Sequence, residues 1–529
     1  MDRWAVEQAP TETRADVRGE ADDLVAEMMR EPHGRTSPST YETARLVSLA
    51  PWLAGHAERV WYLLDTQRPD GGWGPPGGYA LVPTLSATEA LITALRSPPS
   101  ADPATLARAV ERGLDALSGL LRDTAPLPDT PAVDLIVPAL IDRLNQHLTA
   151  APPAGPRRWQ GHTRLDLPPG MSRRRIDAVR QLVASGAPVP DKLLHALEVV
   201  ADLAPGARRV APVRPGTVGA SPAATAAWLG GPDRPDGSEA LAYLEDTVRR
   251  YGGPVPCATP VTVFERAWVT STLARSGIAL TAPPGLISSL TADLGAAGTP
   301  TGPGLPADAD TTSVTLVALG RLGAPVPRDC LWPYETDEGF CTWPGEDGFS
   351  VTTNAHVLDA LGHLAARGEA GPRHHAAVRR LVTALQERQD PQGSWSDRWH
   401  ASRLYATACC VLALAEFGAA HPTVAAALTR AVDWTLATQR DDGSWGNWAG
   451  TAEETAYAVQ ILMTSGQQRP AVVEAVRSGY AYLCRADGQD GPALWHDKDL
   501  YRPTLIVRAT VIAARYQALG WLSSLPVSA

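Results

Sequence analysis

Two carboxylates stand close together at residues 306–312, PADADTT, directly before an apolar run. Proline followed by Asp and Thr at such a boundary predicts the start of a helix. At a helix N-terminus that opens onto a cavity, either Asp308 or Asp310 can stay protonated while the other positions it, which would make a Brønsted acid. The plainer alternative is a capping aspartate beside a solvated one, and a lone D-x-D pair favours that alternative.

The composition is that of a globular protein with more than one domain. The chain has 529 residues, 44% hydrophobic and 20% charged, which allows separate cores. Its net charge of -10 argues against a nucleic-acid partner. The six cysteines lack metal-ligand spacing, so we expect reduced thiols in a cytoplasmic protein. No signal-peptide core begins the chain, and no segment reaches the ~20 apolar residues of a membrane span.

Helical periodicity dominates the chain. Ala- and Leu-rich segments with helical spacing lie at 84–95, 376–386, 405–417, 423–438 and 453–463. Runs of β-branched residues with strict alternation are scarce. The sequence therefore predicts an all-α fold.

The pattern Q-x-x-x-G-x-W occurs three times, starting at Gln67, Gln389 and Gln439. Each copy follows one amphipathic helix and precedes another, so we expect a tight Gly turn with the Trp packed back on the helix pair. The Gln amide can bond the unpaired groups at a helix end. One copy near the N-terminus and two near the C-terminus predict two helical-repeat domains, in which these tryptophans serve stability.

These repeats and several further segments resemble the class II terpene cyclases, which include squalene-hopene cyclases and copalyl diphosphate synthases. Residues 37–44, SPSTYETA, resemble the opening of the family's γ domain, and 308–311, DADT, stand where the family has D-x-D-D. Further segments that resemble family motifs are 193–198 (LLHALE), 263–268 (VFERAW), 399–407 (WHASRLYAT), 451–456 (TAEETA) and 495–502 (WHDKDLYR).

The resemblance implies two α/α-barrel domains in a βγ arrangement, with the active cavity between them. It assigns residues 1–35, with a helix at about 15–30, to the start of the β domain. It assigns 36–255 to an inserted γ domain and 256–529 to the rest of the β domain. It also implies alkene protonation, ring closure through carbocations in a dry cavity, and final deprotonation. Neither D-D pair resembles a diphosphate-ionising metal motif, so the product should keep its diphosphate.

By position in the family motif, Asp310 is the expected general acid and Asp308 its partner. Thr311 stands where the family usually has a third aspartate. D-x-D-T-T resembles the variant in cyclases that make drimane sesquiterpenes, which favours farnesyl diphosphate as substrate and a bicyclic drimenyl-type diphosphate as product.

Other functions stay open at this point. Geranylgeranyl diphosphate, cyclised to a labdane- or clerodane-type diphosphate, is the main alternative, because cavity volume sets the chain length and the motif does not report it. A squalene-type cyclase would need an apolar channel for membrane docking, whereas the apolar segments here are short amphipathic helices. A catalytically inactive helical-repeat binding protein is a further possibility, and the intact aspartate pair and Lys498 argue against it.

An isoprenyl diphosphate substrate needs cations and Mg²⁺. Lys498 and Arg502 match the family's K-x-L-Y-R segment, at a spacing that allows a shared helix face or turn. Arg174 lies in a basic run where the family has residues facing the diphosphate, although a solvated run is an equal alternative. Asp134, and more weakly Glu198, match family positions for Mg²⁺, and a capping role is the alternative for Asp134.

Sixteen tryptophans against four phenylalanines suit a cavity whose aromatic faces stabilise cations, a contribution of roughly 0.5–2 kcal/mol each. Some plant copalyl diphosphate synthases hold a catalytic water with a His/Asn pair. His195 matches the histidine, but Cys257 occupies the asparagine position, so the terminating base stays open and a satisfied interface histidine is the alternative. The predicted lining residues are Trp343, Asn354, His356, Trp399, Tyr405, Trp495, Tyr501 and His195.

Overall fold

The computed structural model describes residues 12–96, 101–149, 164–486, 488 and 491–525. In these ranges the regular structure is helical, apart from an antiparallel hairpin of β1 (Trp495–His496) and β2 (Leu500–Tyr501). The all-α prediction is therefore confirmed. Residues 1–11, in which the sequence predicts no signal peptide, lie outside the described part of the chain.

The described residues form twenty α-helices. The first ten are α1 (Arg14–Arg30), α2 (Thr40–Leu49), α3 (His56–Asp65), α4 (Leu81–Leu95), α5 (Pro103–Leu120), α6 (Val133–Thr149), α7 (Arg174–Ala184), α8 (Asp191–Leu194), α9 (Pro222–Leu229) and α10 (Ser238–Tyr251). The others are α11 (Thr262–Arg275), α12 (Leu286–Thr291), α13 (Ala309–Arg321), α14 (Val351–Ala366), α15 (Pro372–Glu387), α16 (Arg403–Phe417), α17 (Val424–Ala437), α18 (Ala452–Thr464), α19 (Pro470–Arg485) and α20 (Thr504–Ser523). Short 3₁₀ helices lie at Gly77–Ala80, Leu197–Val200, Ala204–Gly206 and Trp332–Tyr334.

The predicted helical segments correspond to α4, α15, α16, α17 and α18, with ends that differ by a few residues. α15 begins earlier than predicted because Pro372 occupies the first helical position, where its missing N–H costs no hydrogen bond. α16 and α18 begin at capping residues, since the hydroxyls of Ser402 and Thr451 accept hydrogen bonds from backbone N–H groups of the first turn.

Buried hydrophobic residues form two separate cores. The larger core takes in residues 17–28 and 258–518, and the smaller core lies within 41–255. Around the larger core, helices α11, α13, α14, α16, α18 and α20 contact one another in succession, and α20 closes the ring on α11. Around the smaller core, α2, α4, α6, the 3₁₀ helix Leu197–Val200 and α9 do the same. We call these the large barrel and the small barrel; the other helices pack outside the two rings. The predicted domain boundaries after residues 35 and 255 stay a prediction.

The Q-x-x-x-G-x-W segments join neighbouring outer helices. Gln389 Nε2 donates to the carbonyls of Gly393 and Ala427 at 2.8 and 2.9 Å, so one amide links its own turn to α17. Trp395 is fully buried, and its Nε1 donates to the Leu385 carbonyl at 2.7 Å. Gly393 has a φ of 110°, a left-handed conformation that favours glycine. Gln67 and Gln439 make the equivalent bonds to the carbonyls of Ala109 and Ala475.

The end of the large barrel at which its ring helices begin faces the small barrel. Asp499, in the β1–β2 hairpin before α20, accepts hydrogen bonds from Ser39 Oγ at 2.6 Å and from the Tyr41 N–H at 2.9 Å. Arg398, shortly before α16, forms an ion pair with Asp129 of the small-barrel region. Residues at the starts of the ring helices therefore line the junction between the barrels. Within the described residues, no helix is long and apolar enough to cross a bilayer.

Candidate active site

Asp308 is the N-cap residue of α13. Its backbone is extended, and its Oδ1 accepts a hydrogen bond from the Thr311 N–H at 2.6 Å. Burial, together with the nearby charge of Asp310, raises the pKa of Asp308 from 3.8 to about 7. The capping aspartate that the sequence suggested as the plainer alternative is therefore Asp308, and its carboxyl group holds a proton under mildly acidic conditions.

Asp310 lies in the first turn of α13, and its Oδ1 is 2.7 Å from Nδ1 of His356 on α14. Both side chains are mostly buried, with 17% of Asp310 and 11% of His356 exposed. Burial opposes protonation of the imidazole, but the Asp310 carboxylate raises the pKa of His356 well above its usual value. Sequence reasoning placed His356 beside the cavity and missed this contact, which arises because α13 and α14 are neighbours in the ring.

This arrangement is suited to donating a proton. His356 occupies one oxygen of the Asp310 carboxyl group, which leaves the second oxygen to carry the proton that is given away. After the proton has left, a cationic His356 and the N-terminus of α13 stabilise the carboxylate. Groups that are already oriented toward the developing charge lower the barrier without reorganising during the reaction.

Thr311 belongs to the network that supports Asp308. Its side chain is buried, and its Oγ1 lies 3.0 Å from Oγ1 of Thr301. The Thr301 hydroxyl also lies 3.4 Å from Oδ2 of Asp308. Thr311 therefore takes part in a hydroxyl–carboxyl cluster at the start of α13, a role that concerns the local structure of the acid.

Aromatic side chains form a continuous array beside the acid. Trp495 of β1 packs against Tyr405 and Tyr501, with ring centroids 4.8 and 6.5 Å away. Trp268 of α11 packs edge-on against His356, with centroids 5.5 Å apart. These rings offer electron-rich faces next to Asp310, as a carbocation requires. Sequence reasoning missed four members of the array, although two lie in the quoted VFERAW segment: Phe264, Trp268, His400 and Tyr457.

Trp343 and Trp399 form a separate pair at the junction between the barrels. Their rings meet at an interplanar angle of 81° with centroids 5.4 Å apart. Trp343 lies shortly before α14 and Trp399 shortly before α16. Their indole Nε1 atoms are buried without a hydrogen-bond partner among the residues that the structure describes, so both N–H groups can donate to a ligand.

Two predicted lining residues have structural roles instead. Asn354 is fully buried, and its amide exchanges hydrogen bonds with the backbone N–H and carbonyl of Phe340 at 2.8 and 2.9 Å. The prediction that Asn354 lines a cavity is therefore corrected: its polar atoms fix the loop before α14. His195 bonds the Gly219 carbonyl through Nδ1 at 2.6 Å and Asp497 through Nε2 at 2.8 Å. Both ring nitrogens of His195 therefore have hydrogen-bond partners, which agrees with the alternative that this histidine has a structural role at the interface.

Lys498 lies in the β1–β2 turn and is completely buried. Its Nζ pairs with Glu42 and with Glu198, the latter at 3.0 Å, and also donates to Ser221 Oγ at 2.9 Å. Burial lowers the pKa of Lys498, but the charges of Glu198 and Glu42 outweigh this effect. The net pKa is raised above its usual value, so the group is cationic. This position does not support diphosphate binding by Lys498 or metal binding by Glu198, because both side chains are completely buried and paired within one cluster. The cluster instead ties the hairpin to the small barrel.

Arg502 follows β2, so it shares neither a helix face nor a turn with Lys498, contrary to expectation. Its backbone N–H donates to Ser37 Oγ at 3.0 Å, and its carbonyl accepts from the Ser37 N–H at 2.9 Å. Its side chain lines a cleft that is also bordered by Arg35 and Arg250. Arg502 therefore contributes positive charge to a cleft at the joint between the barrels, and diphosphate binding there stays a prediction.

Asp134 lies at the start of α6 and pairs with Arg175 Nη1 at 2.7 Å. Arg175 Nη2 also lies 3.7 Å from Asp347, so this arginine reaches from the small barrel to the large one. Arg174 is exposed at the start of α7.

Throughout the described residues, no three His, Cys, Asp or Glu side chains form a group that could hold a metal alone. Mg²⁺ often uses one or two carboxylates plus substrate phosphates, an arrangement that the partly exposed Asp134 fits and the buried Glu198 does not.

Comparisons with known proteins agree with this geometry. Residues 346–513 match the family model of the squalene-hopene cyclase C-terminal domain. The chain is 45% identical over 502 residues to ent-copalyl diphosphate synthase from a Streptomyces species, covering 94% of this chain and 95% of the relative. It is 42% identical over 511 residues to labda-7,13-dienyl diphosphate synthase from Streptomyces clavuligerus, covering 93% and 91% respectively.

A solved structure is similar over the whole fold. The ent-copalyl diphosphate synthase from Streptomyces platensis superposes with a TM-score of 0.89 at 44% identity. The match covers 96% of this chain and 100% of that one. Two α/α barrels, an aspartate pair at the start of a ring helix and relatives that match nearly end to end lead to one conclusion: the chain belongs to the class II terpene cyclases.

Proposed function

We propose that this enzyme protonates geranylgeranyl diphosphate at its terminal alkene and closes it to a bicyclic labdane-type diphosphate, with the diphosphate retained. The observation that carries the proposal is the 45% identity, over nearly the whole of both chains, to an ent-copalyl diphosphate synthase. A second relative, at 42% identity, is a labda-7,13-dienyl diphosphate synthase. Both names describe bicyclic diphosphates of the labdane type, which favours the C20 substrate over the C15 one.

Asp310 is the proton donor in this proposal. The oxygen of its carboxyl group that does not bond His356 gives its proton to the alkene carbon, and a cation forms on the neighbouring carbon. The ionised Asp310 is then stabilised by His356 at 2.7 Å and by the start of α13. Asp308 supports the reaction in its protonated form, because a second negative charge beside Asp310 would oppose ionisation of the acid.

The aromatic array guides the cation after protonation. Trp268 adjoins His356, and Trp495 extends the aromatic surface toward Tyr501 and the junction between the barrels. Each ring face stabilises a nearby cation by roughly 0.5–2 kcal/mol and offers no nucleophile that would trap it. Such walls favour ring closure and final proton loss over capture by water.

The diphosphate group is best accommodated where charged side chains meet across the two barrels. Asp134 would hold Mg²⁺ together with the substrate's own phosphate oxygens. The metal would neutralise the diphosphate during binding. Arg175 and Arg398, which already span the junction through Asp347 and Asp129, can position phosphate oxygens by charge-assisted hydrogen bonds.

Farnesyl diphosphate is the second candidate substrate, and it rests on Thr311. In the structure the Thr311 side chain bonds Thr301 in the network at the start of α13. Its substitution for aspartate therefore has a local explanation that does not concern the length of the substrate. A non-catalytic binding protein is disfavoured by family membership and by the Asp310–His356 pair.

Incubation with each substrate separately tests the proposal. The purified enzyme is supplied with Mg²⁺ and either geranylgeranyl or farnesyl diphosphate, and the products are dephosphorylated and identified by mass spectrometry. We expect a bicyclic C20 alcohol, and a lower kcat/KM for the C15 substrate. Cyclisation of farnesyl diphosphate alone would overturn the choice of substrate, and an Asp310→Asn variant provides the inactive control.

A further inference from the structure

A buried carboxylate, Glu453, lies across the large barrel from the acid. It is the second residue of α18, as Asp310 is the second residue of α13, and only 4% of its side chain is exposed. Two helices of the ring separate α13 from α18 in either direction, so α13 and α18 stand opposite each other. Both residues therefore belong to the end of the barrel that faces the small barrel, on opposite sides of the ring.

Three hydrogen-bond donors of the aromatic array converge on one oxygen of Glu453. Its Oε1 accepts from Trp495 Nε1 at 2.8 Å and from the Tyr457 hydroxyl at 3.2 Å, and Nε2 of His400 lies 3.2 Å away. Burial and the charge of Glu453 raise the pKa of Tyr457 well above its usual value, so this hydroxyl keeps the proton that it donates. An ionised carboxyl group only accepts hydrogen bonds, so these surroundings fit the carboxylate form of Glu453.

His400 does not neutralise the charge of Glu453. Nδ1 of His400 accepts a hydrogen bond from the backbone N–H of Ser402 at 3.0 Å, so the ring proton is on Nε2, the atom that faces Glu453. An imidazole in this tautomer is neutral and donates to the carboxylate. Among the residues that the structure describes, no lysine or arginine forms an ion pair with Glu453. A net negative charge therefore lies behind these aromatic side chains.

The aromatic array connects this carboxylate to the acid. Tyr405 stacks on His400 with ring centroids 4.7 Å apart, and its hydroxyl accepts a hydrogen bond from Trp268 Nε1 at 3.3 Å. Trp268 in turn packs against His356, the partner of the acid. The carboxylate thus lies at one end of the array and the acid at the other.

We propose that Glu453 is a positioning residue for the carbocation. It orients Trp495 and Tyr457, and its charge makes their ring faces more negative, because donors that bond to an anion are polarised by it. The inference rests on the proposed function, in which protonation of the alkene leaves a cation beside Asp310. The fixed charge then draws the cation away from the Asp310 carboxylate as the rings close.

The movement of charge follows from the chemistry of ring closure. The electron pair of the next alkene forms a carbon–carbon bond to the cationic carbon, and the positive charge passes to a carbon further along the chain. No proton is gained or lost in this step. A carboxylate on the far side of the ring therefore stabilises the later cation more than the first one, an effect that appears in kcat rather than in KM.

Two inhibitors that differ only in charge test this role. One is a prenyl diphosphate analogue in which an ammonium nitrogen replaces a carbon that carries charge during ring closure, and the other is its uncharged carbon counterpart. Glu453→Gln keeps an oxygen that can accept from Trp495 and Tyr457 and removes the charge, whereas Glu453→Asp keeps the charge. Glu474→Gln, at an exposed position of α19, is the matched control.

We expect Glu453→Gln to bind the uncharged analogue as tightly as the unaltered enzyme does and the ammonium analogue about tenfold more weakly, equivalent to ~1.4 kcal/mol. Its kcat should fall by a similar factor with little change in KM, and incompletely cyclised products should increase. Glu453→Asp and the control should keep the preference for the ammonium analogue.

The inference is overturned if Glu453→Gln binds both analogues less tightly by the same factor, since that result indicates a structural role alone. Unchanged affinity for both analogues, or loss of the preference in Glu453→Asp as well, would also overturn it. These binding measurements do not require turnover. Absence of cyclised product from the unaltered enzyme would instead contradict the proposed function.

Discussion

Nδ1 of His356 lies 2.7 Å from Oδ1 of Asp310, and the same imidazole ring borders a cavity that is lined by residues of the ring helices of the large barrel. His356 therefore stands between Asp310 and the interior of the large barrel. This relationship depends on the packing of α13 against α14, since the two residues are far apart along the chain.

Asp310→Asn should abolish cyclisation. The side-chain amide is far too weak an acid to protonate an alkene, although it retains the shape of the carboxyl group and a hydrogen bond to His356. General acids contribute about 10²–10⁴-fold to rate, and loss of the acid that starts this reaction should cost at least that much. Product formation is measured with Mg²⁺ and geranylgeranyl diphosphate, and an unchanged thermal unfolding midpoint serves as the control. Activity near that of the unaltered enzyme would refute the assignment.

Asp308 should make both stability and activity depend on pH. Because its folded pKa is raised from 3.8 to about 7, its contribution to stability is fully present below pH ~4 and is lost as pH rises to about 7. Activity should also decline above pH ~7, since an ionised Asp308 opposes ionisation of Asp310. Asp308→Asn keeps a capping oxygen and removes the titration. As pH rises from 4 to 7, the unfolding midpoint of the unaltered enzyme should therefore fall relative to that of the variant. Parallel pH profiles for the two proteins would contradict this account.

Lys498→Met should mainly destabilise the protein. Removal of the cation leaves Glu42 and Glu198 buried without it, and breaking such a cluster costs about 3–5 kcal/mol. The unfolding midpoint should fall sharply, and the triple variant Glu42→Gln/Glu198→Gln/Lys498→Met should recover much of the loss. If the single variant instead kept its stability and only raised KM for the diphosphate substrate, Lys498 would be a substrate ligand after all.

Thr311→Val should change stability and leave substrate length unaffected. The variant loses the hydroxyl contact with Thr301 but keeps the backbone N–H that Asp308 caps. We expect a cost of about 1 kcal/mol, seen as a lower unfolding midpoint. The ratio of kcat/KM values for geranylgeranyl and farnesyl diphosphate should stay within error of the original. A marked shift of that ratio would restore the link between this position and the C15 substrate.

Much of the fold follows from local sequence signals. Helices such as α16 and α18 are visible as periodic apolar segments because their inner faces are buried in the ring. The repeated turns were recognisable because glycine and tryptophan stand at fixed positions within each copy. The bond from Gln389 to the next outer helix could not be foreseen, since it joins residues separated by a whole helix.

The site was only partly predictable, for a related reason. The order of carboxylates pointed to Asp308 and Asp310, but a motif does not report what a side chain meets across the fold. Lys498 matched a motif for anion binding, yet it is surrounded by carboxylates from segments hundreds of residues away. Asn354 was expected beside the cavity, yet its amide hydrogen-bonds to the backbone N–H and carbonyl of Phe340.

The repeated Gln–Trp turns have a consequence for how faithfully the product is formed. Each glutamine amide fastens one outer helix to the next, from α3 to α5, from α15 to α17 and from α17 to α19. Because these bonds fix the spacing of the outer helices, the barrel resists local expansion when a carbocation forms beside its wall. The cavity that holds the substrate chain therefore keeps its shape while the positive charge moves along the chain, and a rigid outer layer of helices helps to determine which ring system forms.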